Sequence, residues 1–280
     1  MTTKLTVLVE NTVPGKADGL YAEHGFSLFL ERPEASLLFD AGPPGIATLH
    51  NAPRLGVDLR TAEGIVLSHG HQDHTGGLAG VLRAMEKRVR VFAHPGIFAD
   101  RYGKRGERLR YSGLPFRREA LEGMGADLDL STEFREIAAG VYLSGEIPRR
   151  RPFETGDAEL FVKRGGGLVR DPLPDDQSLA VETSEGLALI LGCCHAGLIN
   201  TIDHFQGKLP GRPITVWIGG THLAFAPPEQ LRETIAILKG LHVKRLGLSH
   251  CTGLSAGARL AMEFGDAVAF CTVGYRLTLP

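Results

Sequence analysis

Ser68-His69-Gly70-His71-Gln72-Asp73-His74-Thr75-Gly76-Gly77 holds three histidines and an aspartate within six residues. The run follows Gly64–Ser68, a short apolar stretch that reads as a strand. It precedes Leu78, Val81, Leu82 and Met85, whose spacing predicts a helix entered through two glycines. The motif therefore occupies a loop between strand and helix. Imidazole and carboxylate groups are suitable ligands for Zn²⁺ and similar ions. A loop can aim alternate side chains into one site where glycine lets the backbone bend. The alternative, a solvated polar turn, fits neither the ordered H-x-H-x-D-H pattern nor its flanks.

The surrounding chain supplies strand ends of the same kind. Strands are predicted at Leu5–Glu10, Phe26–Glu31, Ser36–Phe39, Val89–Ala93, Gly140–Leu143, Ile214–Ile218 and Arg245–Ser249, with a closing strand at Ala267–Cys271. Leu179–Thr183 and Leu187–Leu191 read as a hairpin. Helices are predicted at Ile199–Gln206, around Leu231, Ile235 and Leu238, and at Ala258–Phe264. Ser68-His69, Ala93-His94, Cys194-His195 and Ser249-His250 each bring a strand to a histidine, so several strand ends converge on one place. Leu-Ser-His occurs at Leu67–His69 and Leu248–His250, a faint hint of duplicated halves. Arg101–Glu119 reads as an exposed excursion, its arginines a solvated face or else a clamp for anions. Arg149–Arg151 and Gly165–Gly167 mark a second irregular segment, ending near Asp176. Asp175, Asp176 and Gln177 read as a turn. No linker divides residues 1–280, which read as one domain with excursions near 101–119 and 149–176.

Composition narrows the classes. The chain has 280 residues, a formal net charge of −1, 43% hydrophobic residues, 36 glycines, 11 histidines and 4 cysteines. That balance argues against disorder and against nucleic-acid binding by bulk charge. Eleven histidines invite a metal. Four cysteines are too few for a disulfide scaffold, and no apolar run approaches the ~20 residues of a membrane span. A reduced, cytoplasmic protein with a small-molecule substrate, an anionic one included, is expected. Oligomeric state is not legible.

The H-x-H-x-D-H loop and the preceding Leu38-Phe39-Asp40-Ala41-Gly42 resemble the metallo-β-lactamase fold superfamily. The stretches Ala22–Ser27, Gly145–Arg149, Gly192–Gly197, Gly219–Leu223 and Ser249–Gly253 resemble a narrower branch. That branch includes the archaeal dihydropterin-methyl aminobenzene ribofuranosyl phosphate synthases of methanopterin biosynthesis. The resemblance implies an α/β fold, a four-layer αββα sandwich of two mixed β-sheets flanked by helices. It implies that His69 and His71 bind one metal, and that Asp73 and His74 bind a second. His195 and His250, each after a strand, complete the implied ligand set. Asp73 would also orient a metal-activated hydroxide and so act catalytically. The cofactor implied is one or two Zn ions, with Mn or Fe as alternatives. One departure stands out: many relatives carry Gly-Asp where this chain has Gly192-Cys193. Cys193 is thus a thiolate ligand or a small buried residue.

Further candidates surround this set. His222 would contact substrate or metal, or cap a strand end. Glu146 and Arg149 would bind substrate or form a surface ion pair. Glu23 and His24 would approach the cleft, and His94 would support it. Asp40 would orient the histidine loop. His50, His204 and His242 read as surface or packing residues. The leading reading is a metal-dependent hydrolase of an ester, lactone, amide or phosphoester. The alternatives are a transferase joining a pterin-methyl pyrophosphate to an aminobenzene ribofuranosyl phosphate, and a non-catalytic metal-binding protein. An iron oxidoreductase ranks last, since nothing suggests a flavin domain.

Overall fold

A computed structural model describes residues 2–16, 19–241 and 243–280, so the reading of His242 lies outside the described residues. In chain order the strands are β1 (Thr3–Val9), β2 (Ser27–Arg32), β3 (Ala35–Phe39), β4 (Gly64–Val66), β5 (Val89–Ala93), β6 (Arg101–Arg105), β7 (Arg108–Tyr111), β8 (Ala126–Leu130) and β9 (Arg135–Ala138). They continue with β10 (Val141–Leu143), β11 (Leu160–Arg164), β12 (Gly167–Arg170), β13 (Ser178–Thr183), β14 (Gly186–Leu191), β15 (Ile214–Gly219), β16 (Arg245–Leu248), β17 (Val268–Phe270) and β18 (Arg276–Leu279). The helices are α1 (Ala47–Arg54), α2 (Gln72–Thr75), α3 (Leu78–Met85), α4 (Arg118–Gly123), α5 (Leu198–Lys208), α6 (Pro228–Lys239) and α7 (Leu254–Phe264).

Two seven-stranded sheets form the centre, in the orders β18-β1-β2-β3-β4-β5-β8 and β17-β16-β15-β14-β13-β10-β9. Their inner strands are apolar on both faces, and the pleat divides those faces. Leu37 and Phe39 of β3 point into the layer between the sheets, whereas Leu38 points to the helix side. In β14, Ala188 and Ile190 join the inter-sheet layer, and Leu187, Leu189 and Leu191 face outward. The outer layers are helical. Leu78, Val81, Leu82 and Met85 of α3 cover the first sheet. Leu198, Ile199, Ile202 and Phe205 of α5 cover the second. Three apolar layers between four structural ones make the expected αββα sandwich.

Both sheets share one pattern of strand directions. In the first, three antiparallel pairings from β18 to β3 give way to three parallel ones from β3 to β8. In the second, three antiparallel pairings from β9 to β14 give way to three parallel ones from β14 to β17. The hint of duplicated halves thus has a topological counterpart. The Leu-Ser-His tripeptide does not mark it: β4 is the second strand of its parallel series and β16 the third. A parallel run puts all its strand C-termini on one edge, the usual place for a site in such sheets. Asp40, His69, His94, Cys193, His195, His222 and His250 all follow those ends.

Three expectations change. The segments read as irregular at 101–119 and 149–176 contain a third, four-stranded sheet in the order β12-β11-β6-β7. Arg101 is not solvated. It is 1% exposed and ion-paired with Asp171 (2.8 Å) and Asp175 (2.5 Å). The turn read at Asp175–Gln177 is present, closed by the Asp176 N–H on the Leu173 carbonyl, and it is buried. The chain also does not close at Cys271. It returns as β18, antiparallel to β1, a pairing between the two ends of the sequence. No helix among the described residues is long and apolar enough to cross a membrane.

Candidate metal centre

The H-x-H-x-D-H loop is held from below by Asp40. Its Oδ1 accepts the Ser68 backbone N–H (2.7 Å), and its Oδ2 accepts the Ser68 hydroxyl (2.7 Å) and pairs with His74 Nδ1 (2.7 Å). Asp40 thereby orients the loop as expected. A second buried carboxylate, Asp175, accepts the Gly70 N–H at 2.8 Å. Gly70 has no room for a side chain: a Cβ there would lie 2.4 Å from the Ile97 carbonyl and 2.5 Å from Arg101 Nη1. The spacing of glycine in the motif thus follows from packing against Arg101.

These constraints bring the ligand candidates together in overlapping groups. His69, His71 and His195 each place a ring nitrogen within 4.8 Å of the others, and so do His69, His74 and Cys193 through nitrogen and sulfur. A third group joins Cys193, His250 and Cys251, and a fourth joins His24, Asp73 and His250. Asp73 Oδ2 lies 3.2 Å from His250 Nε2, 3.5 Å from His24 Nε2 and 3.7 Å from His74 Nε2. His74 Nε2 is 3.2 Å from Cys193 Sγ and 3.3 Å from His250 Nε2. The chain pairs His195 with His69 and His71, and Asp73 with His250.

The donor set fits a cation. Both nitrogens of His195 and Nε2 of His71 are buried without a hydrogen-bond partner, an arrangement that costs free energy unless something accepts their lone pairs. Burial, reinforced by the neighbouring histidines, holds His69 and His195 well below the ordinary imidazole range. His71 is pulled down to about 3, chiefly by burial. All three are therefore neutral at pH 7, the form that binds metal. Burial pushes Asp73 up, but His74, His250 and His71 outweigh it and hold the carboxyl well below its usual range. Burial also opposes charge on His74, yet Asp73 and Asp40 raise it to about 9. Burial and the hydrogen bond with Cys251 push the Cys193 thiol up, so only an adjacent cation would make it a thiolate.

The site opens into a cavity of about 590 Å³ whose lining includes His24, His71, Asp73, Cys193, His195, His222 and His250. His222 also lines it, with its ring centroid 4.2 Å from that of His195. Glu146 and Arg149 are not among the lining residues. Glu146 pairs with His94 (3.0 Å), whose other nitrogen accepts the Gly96 N–H. Arg149 donates to the carbonyls of His195 and Pro172, so it positions His195 through the backbone. Glu23 accepts the Ala47 N–H at the start of α1. His204 accepts no role here and meets the Ser144 carbonyl, while His50 stacks on Tyr21. Glu10 and Asn11 went unnoticed in the sequence. Glu10 Oε1 accepts the His250 N–H (2.7 Å), and Asn11 Oδ1 meets His250 Nδ1 (2.9 Å). The Glu-Asn pair after a strand carries no signal that distinguishes it from a turn.

Known proteins resemble this chain over nearly its whole length. The chain is 31% identical over 272 residues to a 7,8-dihydropterin-6-methyl-4-(beta-D-ribofuranosyl)-aminobenzene-5'-phosphate synthase of Methanocaldococcus jannaschii, covering 94% of this chain and 92% of that one. An uncharacterized protein of the same organism is 32% identical over 257 residues, covering 92% and 93%. The crystal structure of a metal-dependent hydrolase of the beta-lactamase superfamily superposes with a TM-score of 0.83 at 28% identity, covering 98% of both chains. The family model of the metallo-beta-lactamase superfamily matches residues 20–250, the span that carries the histidine loop, Cys193, His195 and His250, and the chain belongs to that superfamily.

Proposed function

We propose that the protein is a metal-dependent hydrolase of a small-molecule ester, lactone, amide or phosphoester. The observation that carries this reading is the cluster of neutral imidazoles of His69, His71 and His195, with both His195 nitrogens and His71 Nε2 unpartnered, where His71, His195 and the Asp73 carboxylate line an open cavity. One or two divalent ions, Zn first, would be held by His69, His71 and His195 and by Asp73, His74 and His250. Such an ion supplies Lewis acidity and brings the pKa of bound water from 15.7 to roughly 7. Asp73 Oδ2 would accept a proton of the attacking water and aim it at the substrate. His222, brought down to about 4 mainly by burial, is neutral and able to accept a hydrogen bond from the bound substrate. Asp40 and Arg149 keep His74 and His195 in place.

The transferase reading draws support from the 31% identity to the aminobenzene phosphate synthase. It requires two organic substrates, whereas the hydrolase needs only water as co-substrate. Elemental analysis of purified protein, with His69→Ala and His195→Ala beside it, tests the centre. We expect Zn, Mn or Fe in the wild type and loss of most of it in both variants. Unchanged metal content in the variants would sink the ligand assignment. A panel of esters, lactones, amides and phosphoesters then tests the reaction. Turnover in water alone supports hydrolysis, and product formed only with paired pterin and aminobenzene substrates moves the assignment to the transferase.

A further inference from the structure

The third sheet gives the cavity a wall of unusual charge. In the β6–β7 hairpin, Gly103 pairs with Arg110 and Arg105 with Arg108. Directly opposed residues share a face of a sheet, as do residues two apart. Gly103, Arg105, Arg108, Arg110 and Ser112 therefore stand on one face, and all five line the cavity that holds His71, Asp73, His195 and His222. The other face carries Tyr102 and Tyr111, whose rings meet edge to face at 5.5 Å.

Like charges directly across a strand pair destabilise it, so Arg105 opposite Arg108 needs a reason. Glu159 relieves one of them, pairing with Arg105 at 3.0 Å. The other carboxylate on this wall, Asp157, is engaged by the Glu159 N–H at 2.7 Å. The guanidinium groups of Arg108 and Arg110 make no hydrogen bond or ion pair among the described residues. Gly103 opposite Arg110 leaves open space, since a Cβ there would meet nothing within 4 Å. Two unpaired guanidinium groups beside a gap form a fork suited to phosphate oxygens, which arginine binds in pairs.

We propose that this face of the hairpin binds a phosphate or diphosphate group of the substrate while the reacting atom reaches the histidine floor. The inference rests on the hydrolase reading and deepens it: the substrate is a phosphorylated small molecule. Isothermal titration of inorganic phosphate and of pyrophosphate into the metal-loaded protein tests it. The wild type is compared with Arg108→Gln/Arg110→Gln, Arg108→Lys/Arg110→Lys and His69→Ala. We expect the glutamine pair to weaken binding at least tenfold with metal content equal to wild type, and the lysine pair to recover part of the loss. Preference for pyrophosphate assigns a diphosphate, and equal or stronger binding of phosphate assigns a monoester. Binding by the glutamine pair within twofold of wild type, or no binding by wild type, overturns the proposal. Affinity lost only in His69→Ala would place the anion on the metal, overturning the arginine site and leaving the metal centre standing. A wild type without metal would instead remove the hydrolase reading, whatever the arginines do.

Discussion

Asp40, Cys194, His222 and His250 adopt positive φ between 49° and 59°, four of the six non-glycine residues that do so among those described. Each follows a strand that ends at the site. Such backbone costs about 1–3 kcal/mol and persists only where the surroundings impose it. Here the hydrogen bonds of Asp40 and the Glu10–Asn11 grip on His250 supply that constraint. The same residues set the protonation of the centre. His74, raised to about 9 by Asp73 and Asp40 against the effect of burial, carries a proton at pH 7. A metal ligated by His74 must displace it. Loading metal-free protein with Zn²⁺ at pH 7 should therefore release at least one proton. Calorimetry in buffers of different ionisation enthalpy measures the number, and His74→Gln should release about one fewer. Equal release from both proteins would exclude His74 as a ligand.

At the scale of an element, the start of α5 shows how the fold sets a pH dependence through one buried carboxylate. Glu154 accepts the N–H groups of Ile199 and Asn200, 2.8 Å each, where a helix leaves its first donors unsatisfied. Burial nevertheless raises its carboxyl to about 7, because those two hydrogen bonds only partly offset desolvation. The folded value lies above the ordinary 4.5, so the folded state binds the extra proton between them. Stability linked to Glu154 is therefore fully present below about pH 4.5 and is lost as pH rises through about 7, a change on the order of 3 kcal/mol. Urea unfolding at pH 5 and pH 8 should show wild type losing more stability than Glu154→Gln, whatever the variant's absolute stability. Parallel slopes for the two proteins would refute this. The helices themselves were legible: α3 buries the face that its apolar spacing announced, and α5 covers the stretch predicted as helical at Ile199–Gln206.

Across the whole molecule, Arg101 connects the third sheet to the metal loop. It begins β6, meets Asp171 beyond β12, and reaches Asp175, which in turn holds Gly70. All three charges are almost fully shielded from water. Removing one member of such a group leaves uncompensated buried charge, at about 3–5 kcal/mol. Arg101→Ala should lose that much in urea unfolding and should also lower metal affinity, because the loop loses its support. A loss below 1 kcal/mol would show that the network carries no such load. The prediction differs from that for Arg108 and Arg110, which are exposed and whose replacement should leave the fold intact.

The αββα layering was implied by the resemblance to the metallo-β-lactamase superfamily, while the sequence by itself determined most strands and helices and the nucleus of the candidate site. The elements and the nucleus are local signals: apolar strands and helix faces repeat over a few residues, and His69, His71, Asp73 and His74 share one loop. The strand-end histidines 195 and 250 were legible for the same reason, as short patterns beside apolar runs. Only the tertiary structure decided which charges are buried and who meets whom. Arg101 lies 70 residues from Asp171, and Glu10 lies 240 from His250. A string of arginines or aspartates reads as surface because the cost of burying a charge is met by a partner that sequence proximity does not reveal. The same holds for Glu146 and Arg149, which face His94 and the His195 carbonyl rather than the cavity. It holds too for the arginines of β6 and β7, whose shared face exists only once the hairpin register is set.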